Sequence, residues 1–121
     1  MFLVTINKPR QLLYSSYIQH VTAGEITRGF DDTRALLSEL APGFRLLVDL
    51  SQVESFDLNS FSEIGRLMEL IDQSGVGMVV RVIPDPDKDI GMNILTVFHY
   101  PHHPRIVTCQ SMAEATRALN L

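Results

Sequence analysis

Three polar side chains that can cap a helix or contact a partner, Asp57, Asn59 and Ser60, fall within four residues. They follow an apolar run and precede a stretch with helical spacing, where such side chains accept backbone N–H groups. Beside the positive end of a helix dipole, exposed polar groups can also bind an anion or a protein partner. We therefore predict that the segment Asp57, Leu58, Asn59 and Ser60 is a helix cap lying within a partner-binding loop.

A second group with chemical potential consists of His99, His102 and His103, which fall within one proline-containing loop. Imidazole is a common metal ligand, but no cysteine or carboxylate in this loop completes a metal-binding pattern. The acidic turn at 84–89 lacks the ligand spacing of a calcium loop and fits the start of a helix. We expect a solvated loop and no metal site.

Enzymatic chemistry finds no support in the sequence. Nucleophilic catalysis needs a positioned nucleophile and base, and nucleotide cofactors need glycine-rich loops, yet neither pattern is visible. Cys109 ends a predicted strand with no histidine placed by sequence to activate it, so we expect a buried, unreactive thiol. We predict a non-enzymatic protein without a cofactor.

Composition narrows the class of protein further. The chain has 121 residues, 45% of them hydrophobic, which fits one domain over residues 1–121. A single cysteine excludes an internal disulfide and favours a reducing, cytoplasmic location. The net charge of −4, with scattered basic residues, argues against nucleic-acid binding. No apolar run approaches the roughly 20 residues that span a bilayer, so we expect no membrane insertion.

The elements that must position these residues follow from periodicity. Strands are predicted over 2–6 and 11–19, joined by a short turn as an antiparallel hairpin. A capping box at Thr22 and Glu25 opens a helix that reaches Leu40. The remaining predicted elements are a strand over 45–50, a helix opened by a Ser60–Glu63 capping box and stopped at Gly75, a strand over 78–83, a helix over 90–98, a strand over 105–109 and a helix opened by Ser111 and Glu114.

This order, β-β-α-β-α-β-α-β-α, predicts an α/β fold with a mixed, mostly parallel five-stranded sheet. If the strands lie side by side in chain order, right-handed crossovers place every helix on one face. The strands are apolar on both faces, so we expect homodimerisation or a bound partner to cover the other face. Asp49 is expected to end its strand and to accept backbone N–H bonds from the following turn.

Residues 46–70, LLVDLSQVESFDLNSFSEIGRLMEL, resemble the central signature of the STAS domain. This SpoIIAA-like family includes bacterial anti-sigma-factor antagonists and sulfate-transporter tails. Residues 48–51 are similar to its strand and Asp-Leu-Ser turn, and Phe56 and Asp57 to the pair before its phosphorylation site. The C-terminal part is similar to small uncharacterised bacterial STAS-like proteins. The resemblance implies a STAS fold, regulation through protein contacts, and a kinase, an anti-sigma factor or another STAS protein as partner.

The chain departs from the phosphorylatable members at the acceptor position. There the resemblance implies two hydroxyl residues and a glycine after the aspartate, the second hydroxyl accepting phosphate. Here Leu58, Asn59 and Ser60 follow Asp57, and Asn59 cannot be phosphorylated. We expect a constitutive binder or scaffold, whose partner contact a charge at Ser60 weakens. The alternative is a binding domain for a lipid or another apolar small molecule, at the apolar second sheet face or in a pocket beneath the predicted helix of the 84–98 segment.

Overall fold

The computed structural model of the protein describes residues 1–83 and 100–121. These residues form a five-stranded sheet and three helices. The helix predicted over 90–98 lies outside the described residues. The elements are β1 (Phe2–Asn7), β2 (Leu12–Val21), α1 (Ala23–Leu37), β3 (Arg45–Phe56), α2 (Ser60–Gln73), β4 (Met78–Val82), β5 (Arg105–Cys109) and α3 (Met112–Ala118).

The sheet has the strand order β1-β2-β3-β4-β5, and the predicted mixed, mostly parallel α/β fold is confirmed. β1 pairs antiparallel with β2, whereas β2, β3, β4 and β5 are mutually parallel. The capping box that opens α1 forms as predicted, since Thr22 and Glu25 exchange both bonds. α1 ends at Leu37 rather than Leu40, because residues 38–40 form a turn in which the Leu40 N–H reaches the Leu37 carbonyl at 3.1 Å.

Helices cover both faces of the sheet, which corrects the prediction that every helix lies on one face. α1 and α2 pack on the first face, over core residues that include Leu46 and Val79. α3 lies on the second face, where Ala115 and Leu119 pack with Leu47 and Val80. The handedness rule fixes only helices that connect two parallel strands, and α3 follows the last strand of the described sheet.

β3 is longer than predicted and continues to Phe56 instead of ending near Leu50. Asp49 therefore lies within the strand, where its Oδ1 accepts the Ser51 N–H at 2.9 Å. The β2–β3 pairing shifts register twice after Asp49, which marks β-bulges. β4 pairs with β3 only as far as Asp49, so among the described strands the last part of β3 pairs with β2 alone.

Candidate functional site

The turn from Asp57 to Ser60 lies where β3 passes into α2, at the end of the β2–β3 pair. Phe56 pairs with Val21, and the Asp57 N–H donates to the Val21 carbonyl at 2.9 Å. The Asp57 carbonyl in turn accepts the Ser60 N–H at 2.9 Å. The backbone of Asp57 thus joins the turn both to the sheet and to the helix.

Ser60 has a structural role within this turn. It is fully buried, and its hydroxyl donates to the Asp57 carbonyl at 2.5 Å. The residue before it, Asn59, is the N-cap but makes no capping bond through its side chain. Asn59 has helical backbone angles (φ −72°, ψ −14°), whereas side-chain capping needs an extended residue.

The predicted Ser60–Glu63 capping box is therefore wrong. The Glu63 carboxylate faces α1 instead, where it accepts the Thr27 hydroxyl at 3.2 Å. It also forms an ion pair with Arg66 at 3.1 Å, one turn along α2. Glu63 thus ties the two helices of the first face together instead of closing the start of α2.

Exposed apolar side chains stand at the start of α2. Leu58 is 84% exposed, and Phe61 is 39% exposed. The Phe61 ring packs on Phe56 with centroids 5.6 Å apart, and Phe56 packs on the buried Tyr17 at 5.9 Å. This aromatic row fixes an exposed ring to the core, which lowers the entropy that the ring would lose on binding.

We refer to Asp57, Leu58, Asn59 and Phe61 as the α2 tip. Asn59 is exposed and Asp57 is half-buried, so the tip presents amide and carboxylate groups around its apolar centre. An apolar centre with a polar rim is the usual composition of a protein–protein contact. Of the predicted loop residues, the structure brings Asp57, Leu58 and Asn59 to this surface and buries Ser60.

Sequence reasoning missed a contact between His20 and Ser55. The His20 Nδ1 lies 2.7 Å from the Ser55 Oγ, because the two residues pair across β2 and β3. Both side chains are exposed, and they project from directly opposed positions of the two strands. We assign this contact to the pairing of the two strands.

A second missed contact joins His102 to Asp72, thirty positions earlier in the chain. The His102 Nδ1 lies 2.8 Å from one carboxylate oxygen of Asp72, a residue that is only 2% exposed. The backbone N–H of His102 donates to the other oxygen of the same carboxylate. No spacing rule could have paired them, since the loop reaches α2 only in the folded chain. His99 lies outside the described residues, and residues 1–83 and 100–121 contain no cluster that could hold a metal ion.

A small cavity lies between the first face of the sheet and the helices. Its volume is about 20 Å³, and apolar side chains such as Leu46 and Met68 line it with Tyr17 and Tyr100. A cavity of this size holds about one water molecule, so a lipid would need a larger space. Lipid binding stays a prediction.

Burial shifts the pKa values of three ionisable side chains in or near the core. It raises the pKa of Tyr17 and Tyr100 above the ordinary phenol value, so both stay neutral at physiological pH. Burial also raises the pKa of the Cys109 thiol, and the expected buried position of that cysteine is confirmed. Within the described part of the chain, the helices are too short or too polar to cross a bilayer.

Comparison with known proteins identifies the fold. No protein-family model and no curated protein sequence matches the chain. An uncharacterised protein of the DUF3478 family with a SpoIIAA-like fold, from Shewanella loihica PV-4, is similar with a TM-score of 0.76 and 11% identity, over 98% of this chain and 93% of that one. The anti-sigma factor antagonist SpoIIAA in its unphosphorylated form is similar with a TM-score of 0.64 and 12% identity, over 99% and 98% of the two chains. The chain has a STAS-like, SpoIIAA-like fold, as the signature predicted.

Proposed function

We propose that this protein is a non-enzymatic regulatory or scaffolding module of the STAS type that binds a protein partner through the α2 tip. The observation that carries the proposal is Leu58, an apolar side chain 84% exposed at the start of a helix. Phe61 extends the apolar surface and is held by the aromatic row beneath it. The resemblance implies that the partner is a kinase, an anti-sigma factor or another STAS protein.

The chemistry of the tip indicates what the partner must offer. Leu58 and Phe61 fit an apolar cleft, since apolar anchors bind best when fully desolvated at the centre of a contact. Asp57 at the rim fits a basic or hydrogen-bond-donating group of the partner. The other parts of the proposal are that residues 1–121 act as one module, in the cytoplasm, without nucleic acid and without membrane insertion.

We further propose that binding is not switched by phosphorylation of the tip. The position that corresponds to the phosphate acceptor is Asn59, which has no hydroxyl. The neighbouring hydroxyl of Ser60 is fully buried and donates to the Asp57 carbonyl. A kinase would reach it only after the turn had opened. Because the tip offers no accessible phosphate acceptor, we expect the partner to bind constitutively.

Affinity capture from an extract of the native cell tests the proposal. The tagged wild-type protein is compared with Leu58→Lys, which replaces the apolar centre of the tip with a charge. The matched control is Gln73→Lys, because Gln73 is exposed at the opposite end of the same helix. Both variants alter surface side chains, and circular dichroism confirms that each is folded.

We expect one protein to be enriched by the wild type and by Gln73→Lys but lost with Leu58→Lys. The purified candidate should bind the wild type at least ten-fold more tightly than Leu58→Lys, since hot-spot residues contribute about 2 kcal/mol or more. A partner retained equally by both variants would place the contact elsewhere. Capture of no protein by any of the three would count against the interaction module itself.

A further inference from the structure

The edge strand β1 has backbone groups that face away from the described sheet. Among the described strands it pairs with β2 alone. The Ile18 N–H donates to the Met1 carbonyl at 2.7 Å. Because the backbone groups of successive residues in a strand point to opposite sides, this bond determines which residues of β1 face β2. The backbone groups of Leu3 and Thr5 therefore point to β2, and those of Phe2, Val4 and Ile6 point away from β2, where no other described strand lies.

The sequence of β1 lacks two features with which edge strands often avoid pairing, proline and charged side chains. Its sequence, FLVTIN, has no proline and no charge, and it is rich in residues that favour strands. Leu3 is 50% exposed on its outer face. The other edge of the described sheet, β5, begins with Arg105 directly after Pro104, and α3 follows it.

The flank of β1 carries charges of both signs. A groove of about 330 Å³ runs between β1 and α1, and its lining includes Glu25, Arg28 and Asp32. Arg28 and Asp32 are exposed, one turn apart on the same side of α1. Glu25 is already ion-paired with the N-terminal ammonium group at 3.0 Å, so a two-fold axis beside β1 would leave Asp32 of one copy as the acidic group for Arg28 of the other. Such a surface is complementary to itself, as a symmetric dimer requires.

We propose that β1 pairs antiparallel with β1 of a second copy, so that one sheet continues across a two-fold dimer. Pairing centred on Val4 sets Phe2 of each copy opposite Ile6 of the other, and each N–H that points away from β2 then meets a carbonyl of the second copy. Leu3 of each copy lies beside Thr5 of the other and loses part of its exposure to water. This interface uses residues other than the α2 tip and does not depend on the proposed function.

Light scattering coupled to size exclusion, run over a range of protein concentration, measures the assembly directly. The wild type is expected to reach twice its chain mass of 13.6 kDa at high concentration. The double variant Leu3→Lys, Thr5→Lys puts like charges directly opposite each other across the two-fold axis and should stay at the single-chain mass. The matched control Gln52→Lys, Gln73→Lys adds the same charge at exposed positions away from β1 and should dimerise.

Hydrogen exchange on the wild type gives a second readout that needs no substitution. The amides of Val4 and Ile6 should become protected as the concentration rises, while that of Thr5, bonded to β2, is protected throughout. A wild type at the single-chain mass over the whole range would overturn the proposal. So would a dimer that persists in the folded Leu3→Lys, Thr5→Lys variant, or a Val4 amide whose exchange ignores concentration.

Discussion

Asn59 and Ser60 illustrate how position within a turn, rather than residue type, decides what a polar side chain does. Asn59 occupies the N-cap yet makes no capping bond, because its backbone is already helical. Ser60 lies one residue further on, and its hydroxyl closes the turn by bonding to Asp57. The stability of this region therefore depends on the buried serine and little on the exposed asparagine.

We predict that Ser60→Ala lowers the free energy of unfolding by about 0.5–1.5 kcal/mol, because it removes a buried hydrogen bond. The matched change Asn59→Ala should alter it by less than about 0.5 kcal/mol, although removal of a capping asparagine usually costs about 1 kcal/mol. Urea denaturation of the three proteins gives both values. A larger loss for Asn59→Ala than for Ser60→Ala would contradict this account of the turn.

A charged residue at position 60 is expected to affect folding, whereas a charged residue at position 58 is expected to affect binding. Ser60→Glu places a carboxylate in a fully buried position and is expected to unfold the start of α2 or the whole chain. The sequence-based expectation that a charge there weakens a partner contact stays a prediction, and the burial of Ser60 adds an effect on folding to it. Leu58→Lys probes the contact instead, since Leu58 is exposed. A Ser60→Glu protein with wild-type stability would show that the site is more open than described.

The sequence predicted which residues surround this turn, but it could not predict their burial. Serine, asparagine and aspartate before an apolar helical stretch are all good caps, so their types alone do not say which one faces inward. The contact between His102 and Asp72 was equally out of reach, because it joins residues thirty positions apart. The residue types at the turn could be predicted from the sequence. The burial of each side chain and the contacts between residues distant in the chain could not.

Among the elements, β1 and α1 approach each other closely at Gly29. A Cβ at this position would lie 2.2 Å from the Phe2 ring, so the contact requires glycine. The α1 position of Gly24 is different, since a Cβ there would meet only the end of the Arg28 side chain, at 3.6 Å. The helix therefore contains one glycine set by packing and one that packing does not require.

We predict that Gly29→Ala lowers the free energy of unfolding by about 1–3 kcal/mol, because the methyl group forces β1 or its phenylalanine away from α1. Gly24→Ala should leave the protein unchanged or up to about 1 kcal/mol more stable, since alanine favours helix. Thermal and urea denaturation of the two variants test the contrast. A Gly29→Ala protein as stable as Gly24→Ala would show that β1 does not pack on α1 as described.

The order and direction of the described strands were predictable from the alternation of strand and helix signals. The length of β3 was not, because its bulges after Asp49 interrupt the regular alternation that marks a strand. The stretch from Ser51 to Phe56 mixes polar and apolar residues and resembles a turn. The side of the sheet on which α3 lies was unpredictable too, since no later strand of the described sheet constrains that helix.

For the whole molecule, two buried phenols link stability to pH. Burial raises the pKa of Tyr17 and Tyr100 in the folded protein. In the unfolded chain, the pKa of a tyrosine phenol is about 10. The folded state thus holds these protons at a pH at which the unfolded state releases them. Their contribution to stability is complete below about pH 10 and is lost as the pH rises above that value.

We predict that the protein unfolds cooperatively at alkaline pH and that ionisation of Tyr17 and Tyr100 accompanies unfolding. Absorbance of the tyrosinate ion and circular dichroism, followed in one titration, should show coincident transitions. Tyr17→Phe should remove one late-ionising tyrosine and make stability depend less steeply on alkaline pH. Ionisation of both residues well before unfolding would contradict the buried positions assigned to them.

At the scale of the whole molecule, the α2 tip and the β1 edge are two separate surfaces with different chemistry. The α2 tip is a compact apolar centre with a polar rim, and the β1 edge is a row of backbone groups. We propose that the tip binds a protein partner.

A photo-reactive amino acid at position 58, compared with the same residue at position 73, tests this proposal in the native cell extract. We expect a light-dependent adduct with one protein at position 58 and none at position 73. No adduct at position 58, or the same adduct at both positions, would show that the tip is not the contact surface.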